Sequence, residues 1–311
     1  MTALRDQLSG GKTDPAPDAG WEEAPARKGF FTDTSVCIGC KACEVACKEW
    51  NLVSEDGLDL LGTSYDNTGE LGASTWRHVA FIEQQVPVSK ATAVDLGMPA
   101  VGPPDAGPEE RADDDPTGLR WLMSSDVCKH CTHAACLDVC PTGSLFRTEF
   151  GTVVVQDDIC NGCGYCVPAC PYGVIERRTG DSGTKNVGIA QKCTLCYDRL
   201  RADQTPACAQ ACPTESIQFG DVDELRERAA ARVQTLHEGG VEEAQLYNAS
   251  PDDGIGGAGA FFLLLDEPEV YGFPPDPVVT TKDLPAMWKQ AGLAAATLLA
   301  GAAVAFAGSR R

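Results

Sequence analysis

Sixteen cysteines fall into four groups of four, with none left over. The groups are Cys37-x2-Cys40-x2-Cys43-x3-Cys47, Cys128-x2-Cys131-x4-Cys136-x3-Cys140, Cys160-x2-Cys163-x2-Cys166-x3-Cys170 and Cys193-x2-Cys196-x11-Cys208-x3-Cys212. The first and third have the C-x2-C-x2-C-x3-C run of bacterial ferredoxins. Proline (Pro141, Pro171, Pro213) follows the last cysteine of the second, third and fourth groups. Four thiolates bind one [4Fe–4S] cubane, so the count accommodates four clusters. A chain that holds four one-electron carriers is most simply a wire. Structural zinc uses two C-x2-C pairs per ion and has no need of the third and fourth cysteines at these spacings. A disulfide framework belongs to small secreted domains, whereas this chain has 311 residues and reads as lacking an export signal of its own.

The formal charge is −20 with thiols counted as neutral. Each oxidised cluster with its four thiolates adds roughly −2. So acidic a surface argues against nucleic acid as a partner. Four histidines leave little material for a haem.

Several elements must position these groups. Trp76–Glu83 and Leu119–Met123 read as strands, with a solvated Pro/Gly/Asp-rich loop over Gly97–Gly118 between them. Gly151-Thr152-Val153-Val154-Val155 reads as a short strand, bounded by Gly151 and by Asp157-Asp158, and Phe261–Leu265 reads as an apolar one. Asp221–Glu238 reads as an amphipathic helix, with Asp221 as N-cap and Gly239-Gly240 closing it. Glu267–Pro277 is expected to be extended, lying on a partner or on the protein's own surface. Residues 1–28 read as a disordered tail or a strap over a partner. The apolar run Ala291–Gly308 would be ~27 Å long as a helix, close to the ~30 Å of a hydrocarbon core. Trp288 and Lys289 at one end and Arg310-Arg311 at the other are placed as interfacial anchors. A soluble helix packed on the body is the competing reading.

In two-cluster ferredoxins the fourth cysteine of a run binds the other cluster, so groups work in pairs. The second and third groups are separated by residues 141–159 and the third and fourth by 171–192. Either gap fits a compact unit, and spacing leaves the pairing open.

The four quartets, the phrase Cys40-Lys41-Ala42-Cys43-Glu44-Val45-Ala46-Cys47-Lys48-Glu49-Trp50-Asn51, the later Tyr65-Asp66-Asn67 and Cys128-Lys129-His130-Cys131 resemble the iron–sulfur (beta) subunit of membrane-bound formate dehydrogenase. The resemblance covers roughly residues 29–310, with an acidic insertion at 84–118 as a departure. It implies an α+β fold of two ferredoxin-like units, each built for two [4Fe–4S] clusters and related by a pseudo-two-fold axis, plus one C-terminal transmembrane helix. One unit takes residues 29–117 and 187–284, the other 118–186, and residues 285–311 form the anchor.

In that family the first group pairs with the fourth and the second with the third. Carried over, the resemblance implies one cluster on Cys37, Cys40, Cys43 and Cys212, and another on Cys47, Cys193, Cys196 and Cys208. A third falls on Cys128, Cys131, Cys136 and Cys170, and a fourth on Cys140, Cys160, Cys163 and Cys166.

Lys41, Lys129 and Lys192 each adjoin a ligand cysteine, where a cation stabilises the reduced cluster; ordinary surface lysines are the alternative. His130 and His133 are expected to pack or hydrogen-bond rather than ligate. Gly39, Gly162 and Gly164 are expected to permit tight turns around a cubane.

The sequence carries no P-loop and no dinucleotide fingerprint; Gly254-Ile255-Gly256-Gly257 lacks the spacing. Substrate chemistry is therefore expected on a partner. The resemblance implies a catalytic subunit with a molybdenum or tungsten bis-pterin cofactor that oxidises formate. It also implies a membrane cytochrome b or quinone-binding subunit that takes up the electrons. The same wire in a hydrogenase or another molybdopterin oxidoreductase, and a free-standing carrier, are the rival readings. The expected address is the cytoplasmic membrane. Lys282 and Lys289 balance Arg310 and Arg311 across the helix, and the cytoplasmic face is slightly favoured.

Overall fold

The structure, a computed structural model, describes residues 16, 19–56, 65, 68–86, 118–180 and 183–308. The expected loop over residues 97–117, the anchors Arg310-Arg311 and most of the first eighteen residues lie outside these. The strands are β1 (Lys28–Asp33), β2 (Arg77–Val86), β3 (Gly118–Val127), β4 (Leu145–Arg147), β5 (Val153–Val155), β6 (Glu176–Arg177), β7 (Ala190–Gln191), β8 (Ile217–Asp221), β9 (Gln245–Tyr247) and β10 (Ala260–Leu264). The helices are α1 (Ala42–Asn51), α2 (Ala135–Asp138), α3 (Cys166–Ala169), α4 (Tyr197–Arg201), α5 (Ala207–Gln210), α6 (Val222–Glu238) and α7 (Leu284–Gly308).

Side chains on a strand alternate between faces, and in the central sheet that alternation separates two cores. The sheet runs β8-β1-β10-β9, with β1 parallel to β10 and the other two pairings antiparallel. Phe31, Phe261 and Leu263 pack with Val222, Leu225 and Ala229 of α6. Phe30, Phe262 and Leu264 point the other way, into a core that also contains Cys43, Cys193 and Cys208. One face thus holds a helix and the opposite face supports cysteine-bearing segments. Both faces are covered, so all five β10 residues are buried.

β2 and β3 form a ten-residue antiparallel ribbon with Arg77 opposite Val127. Its Val79, Leu122 and Val127 join the cysteine-side core. The resemblance has β3 open the second unit, yet the strand pairs with one from the first. The short ladders β4–β5 and β6–β7 frame a third core of Ala134, Leu145, Val153, Cys166, Ile175 and Ala190. The second cysteine group is also stitched to the segment leading into β10: Ala260 N–H donates to the Lys129 carbonyl and Thr132 N–H to the Gly257 carbonyl.

Three expectations change in detail. Asp221 occupies the N-cap position of α6, but its carboxylate makes no cap bond and pairs instead with Lys28 across β1 and β8. The segment after β10 includes a 3-10 turn, Pro268–Tyr271, and buries Tyr271 and Phe273 on the protein's own core. Part of the N-terminal tail also lies on the body: Trp21 Nε1 donates to the Arg147 carbonyl, and buried Arg27 donates to Thr132 Oγ1 and the His130 carbonyl.

α7 is a single apolar helix whose stretch Ala286–Ala307 is long enough to cross a membrane, with mean hydropathy 1.6 and none of it buried. Leu293, Leu298, Leu299, Val304 and Phe306 are all exposed, so it is a candidate membrane span and not a helix packed on the body.

Candidate metal centres

Each cysteine group turns at the residue before its second cysteine. Gly39, His130, Gly162 and Leu195 have φ of 64°, 45°, 73° and 58°. This left-handed conformation costs a residue with a Cβ about 1–2 kcal/mol, which accounts for glycine at 39 and 162. His130 and Leu195 carry the strain and are fixed by near-complete burial. The turn swings a backbone donor toward sulfur. Leu195 N–H lies 3.3 Å from Cys193 Sγ, and Gly39 N–H donates to Cys37. Successive N–H groups in such a turn form a concavity that favours negative charge.

The turns bring distant thiols together. A small cavity is walled by Cys37, Cys40, Cys43 and Cys212, with Lys41, Val79 and Ser125. Another is walled by Cys128, Cys131, Cys136 and Cys170, with His130 and Lys192. Cys47 is surrounded by Cys193, Cys208 and Cys196, and Cys166 by Cys160, Cys163 and Cys140. Neighbouring sets also meet: Cys43 feels Cys208, Cys193 feels Cys128, and Cys136 feels Cys166. None of the sixteen cysteines is in a disulfide.

Burial governs the thiols. Loss of solvent pushes Cys43 up to about 11 and Cys136 and Cys193 up to about 12, with adjacent thiols adding to the rise. Cys140 is the exception. Its burial is outweighed by hydrogen bonds from Ser144, Leu145 N–H and Thr142, which bring it down to about 7. Metal-binding thiols must be deprotonated, so crowded, dehydrated thiolates need a positive core among them. Among the described residues, no three His, Cys, Asp or Glu side chains gather around a single-ion position. Four thiols spread around one space fit a polynuclear group, and a [4Fe–4S] core supplies the charge and four positions for thiolate ligands.

Polar side chains complete the sites. Ser125 Oγ is 3.2 Å from Cys43 Sγ, and Ser144 Oγ is 3.2 Å from Cys140 Sγ. Asn51 Nδ2 approaches both Cys47 Sγ at 3.7 Å and Cys196 Sγ at 3.8 Å. Asn51 lies one helical turn after Cys47, a spacing that could have identified it as a sulfur donor. Val153 N–H donates to His130 Nδ1, leaving the imidazole proton on Nε2; burial holds this ring far below the usual histidine range. His130 Nε2 has no protein partner, and its ring borders the second cavity.

The three lysines diverge. Lys192 is buried, donates to the Val153 and Cys193 carbonyls, and lowers the pull of burial on Cys136. Lys129 is equally buried but pairs with Asp126 and sits over the rings of Tyr172, Phe262 and Phe273 at 5.1, 5.0 and 4.5 Å. Lys41 pairs with Glu44 at 3.4 Å. A further cation beside the thiols, buried as deeply as Lys129, is Arg77, which no motif marks.

Two family models, both described as a 4Fe-4S dicluster domain, match residues 36–144 and 119–222. The nitrate-inducible formate dehydrogenase iron-sulfur subunit of Escherichia coli K12 is 36% identical over 274 residues, covering 86% of this chain and 79% of the relative. The formate dehydrogenase-O iron-sulfur subunit of the same organism is 34% identical, covering 92% and 83%. A polypeptide of the anaerobic dimethyl sulfoxide reductase of that organism is 30% identical, covering 64% and 76%.

Proposed function

From the premise that this chain belongs to the family of formate dehydrogenase iron–sulfur subunits, we propose that it conducts electrons from a formate-oxidising molybdenum or tungsten bis-pterin subunit to a quinone-reducing cytochrome b subunit. Four [4Fe–4S] clusters carry the electrons one at a time. Their ligands are Cys37, Cys40, Cys43 and Cys212; Cys47, Cys193, Cys196 and Cys208; Cys128, Cys131, Cys136 and Cys170; and Cys140, Cys160, Cys163 and Cys166. Two ferredoxin-like units hold them, one on the first and fourth groups and one on the second and third.

The observation that carries this reading is the chain of neighbouring thiols. Cys43 with Cys208, Cys193 with Cys128 and Cys136 with Cys166 link the four sets in one line. The protein's own part is to exclude water, to aim N–H and O–H donors at sulfur, and to fix the order of the sets. α7 anchors the subunit beside its membrane partner. The cytoplasmic face is the side we favour.

Anaerobic purification in mild detergent, with metal analysis and EPR under formate or hydrogen, tests the assignment. About sixteen iron and sixteen sulfide per chain, molybdenum or tungsten in the complex, and reduction by formate are expected. Iron near eight would remove the four-cluster count. Nickel with hydrogen-driven reduction would transfer the wire to a hydrogenase. Deleting residues 286–311 should release the loaded subunit from the membrane fraction. It should abolish quinone reduction while dye reduction by formate persists.

A further inference from the structure

Arg77 opens β2 and is 1% exposed. Its guanidinium lies 4.9 Å from the centroid of the Phe30 ring, on the cysteine-side face of the central sheet. Only Nη1 is satisfied, donating to the Ser125 carbonyl at 3.2 Å and Ser125 Oγ at 3.0 Å. Nε and Nη2 are buried without a partner. No carboxylate pairs with this cation among the described residues. The buried acid Glu44 is engaged by Lys41 at 3.4 Å, His78 at 3.6 Å and Val79 N–H. Ser125 Oγ, which takes the Nη1 bond, also lies 3.2 Å from Cys43 Sγ, and Cys193 and Cys208 share the buried core of the Phe30 ring beneath the guanidinium. Burial pulls the Arg77 pKa down, and Cys208, Cys43, Cys193 and Cys47 hold it up.

An unpaired buried charge is among the most costly features a fold can carry. Arginine cannot escape the cost by losing its proton. Its compensation must therefore be anionic and must occupy the space its free donors face. Three of the four thiols around it belong to the set Cys47, Cys193, Cys196 and Cys208, and the fourth, Cys43, to the set of Cys37.

We propose that Arg77 sets the reduction potentials of these two neighbouring clusters, its fixed charge and the N–H groups of its two free nitrogens stabilising each after it gains an electron. The effect is larger on the cluster of Cys47, Cys193, Cys196 and Cys208 and smaller on that of Cys37, Cys40, Cys43 and Cys212. The two clusters of the second and third groups are the internal reference. This rests on the ligand sets proposed above.

The test is redox-titrated EPR of the full-length chain, purified anaerobically with its accompanying subunits, in wild type, Arg77→Gln and Arg77→Lys. In Arg77→Gln the reduced-to-oxidised ratio of the first of these clusters at fixed ambient potential should fall at least tenfold, about 59 mV for one electron. The second should fall less, and the reference pair should stay put. Arg77→Lys keeps the charge and should retain both potentials to within that factor. A purely structural arginine would lower stability in both variants and move neither potential. Unchanged potentials in a fully loaded Arg77→Gln, equal shifts of all four clusters, or a tenfold drop in Arg77→Lys would each overturn the inference. Should Arg77→Gln fail to assemble, the Arg77→Lys criterion decides alone. Wild-type protein without iron would instead bring down the ligand assignment itself.

Discussion

Around Cys43, Cys47, Cys193 and Cys208 the buried positive charge is Arg77, thirty positions from the nearest cysteine in sequence. Around Cys128, Cys136 and Cys170 the cations are Lys129 and Lys192, each covalently next to a cysteine. The cations also differ in how far their charges are already spent. Lys129 is matched by Asp126 and three aromatic rings, whereas Arg77 has two nitrogens with no protein acceptor. Adjacency in the chain is therefore a poor guide to electrostatic influence. What counts is whether the fold supplies the cation with an anion of its own.

The sharpest way to break the comparison is to remove a shared ligand from each region. On the proposed ligand sets, Cys212→Ser should abolish or convert the EPR signal of the cluster on Cys37, Cys40 and Cys43. It should spare the cluster of Cys193, Cys196 and Cys208, although those lie nearer in sequence. Cys170→Ser should likewise strike the cluster of Cys128, Cys131 and Cys136 and spare that of Cys140, Cys160 and Cys163. If each variant damages only the cluster of its own run, the two regions do not interleave as proposed.

Next in size is the contrast between two lysines. Lys129→Met leaves the Asp126 carboxylate without its cation and should cost about 3 kcal/mol of stability, read as earlier loss of cluster absorbance on heating. Adding Asp126→Asn removes the stranded carboxylate, so that a neutral pair is replaced by two neutral side chains, and in this double variant the cluster potentials should hardly move. Lys192→Met should do the reverse, lowering the potential of the cluster that includes Cys136. A large potential shift in the Lys129→Met, Asp126→Asn double variant would erase the distinction between spent and unspent charge.

Smaller effects come from the turns. An alanine Cβ at Gly162 would stand 2.5 Å from the Gly188 carbonyl oxygen, while at Gly39 it would meet side-chain atoms of Phe81 and Met123 at 2.6 and 2.7 Å. Backbone yields less readily than side chains. Gly162→Ala should therefore cost more than the ~1–2 kcal/mol of a left-handed alanine, and Gly39→Ala should stay closer to that figure. Thermal loss of cluster absorbance in the two variants checks the order. The smallest effect is expected at Lys41, whose φ of 58° corresponds to that of Gly164 in the third group, 81°. Lys41→Gly relieves about 1 kcal/mol of strain and gives up the Glu44 pair, so its melting behaviour should stay within about 1 kcal/mol of wild type.

What the sequence reveals here follows from how locally each feature is encoded. Gly39 and Gly162 announce their turns because only steric permissiveness is needed, and Val153–Val155 and α6 announce themselves by composition and period. The equivalent turns at His130 and Leu195 are invisible there, because residues with a Cβ adopt left-handed backbone only where tertiary packing forces them. Leu195 is fixed by complete burial and His130 by Val153 N–H. Asn51 is legible in principle, being one turn from Cys47, whereas Ser125 and Arg77 are not. Both reach the cysteines through the β2–β3 ribbon, whose pairing spans residues 77 to 127. The second face of the central sheet is equally hidden. An apolar run such as Phe261–Leu265 shows that a strand is buried, and not that one side of it supports thiols.

The interleaving of β1 with β8 and β10 has a consequence measured in time. On the proposed sets, the site of Cys37 lacks its fourth thiol until Cys212 has been synthesised, 175 residues later. At 5–20 residues per second that is a wait of roughly 9–35 s. The site of Cys128 is complete once Cys170 has emerged, 42 residues on, or roughly 2–8 s at the same rate. During the longer interval Cys37, Cys40 and Cys43 are a nascent chain's open thiols, exposed to oxidants and to stray metals. The region first in the gene is thus the last whose pocket closes, and the cell must keep its surroundings reducing until it does.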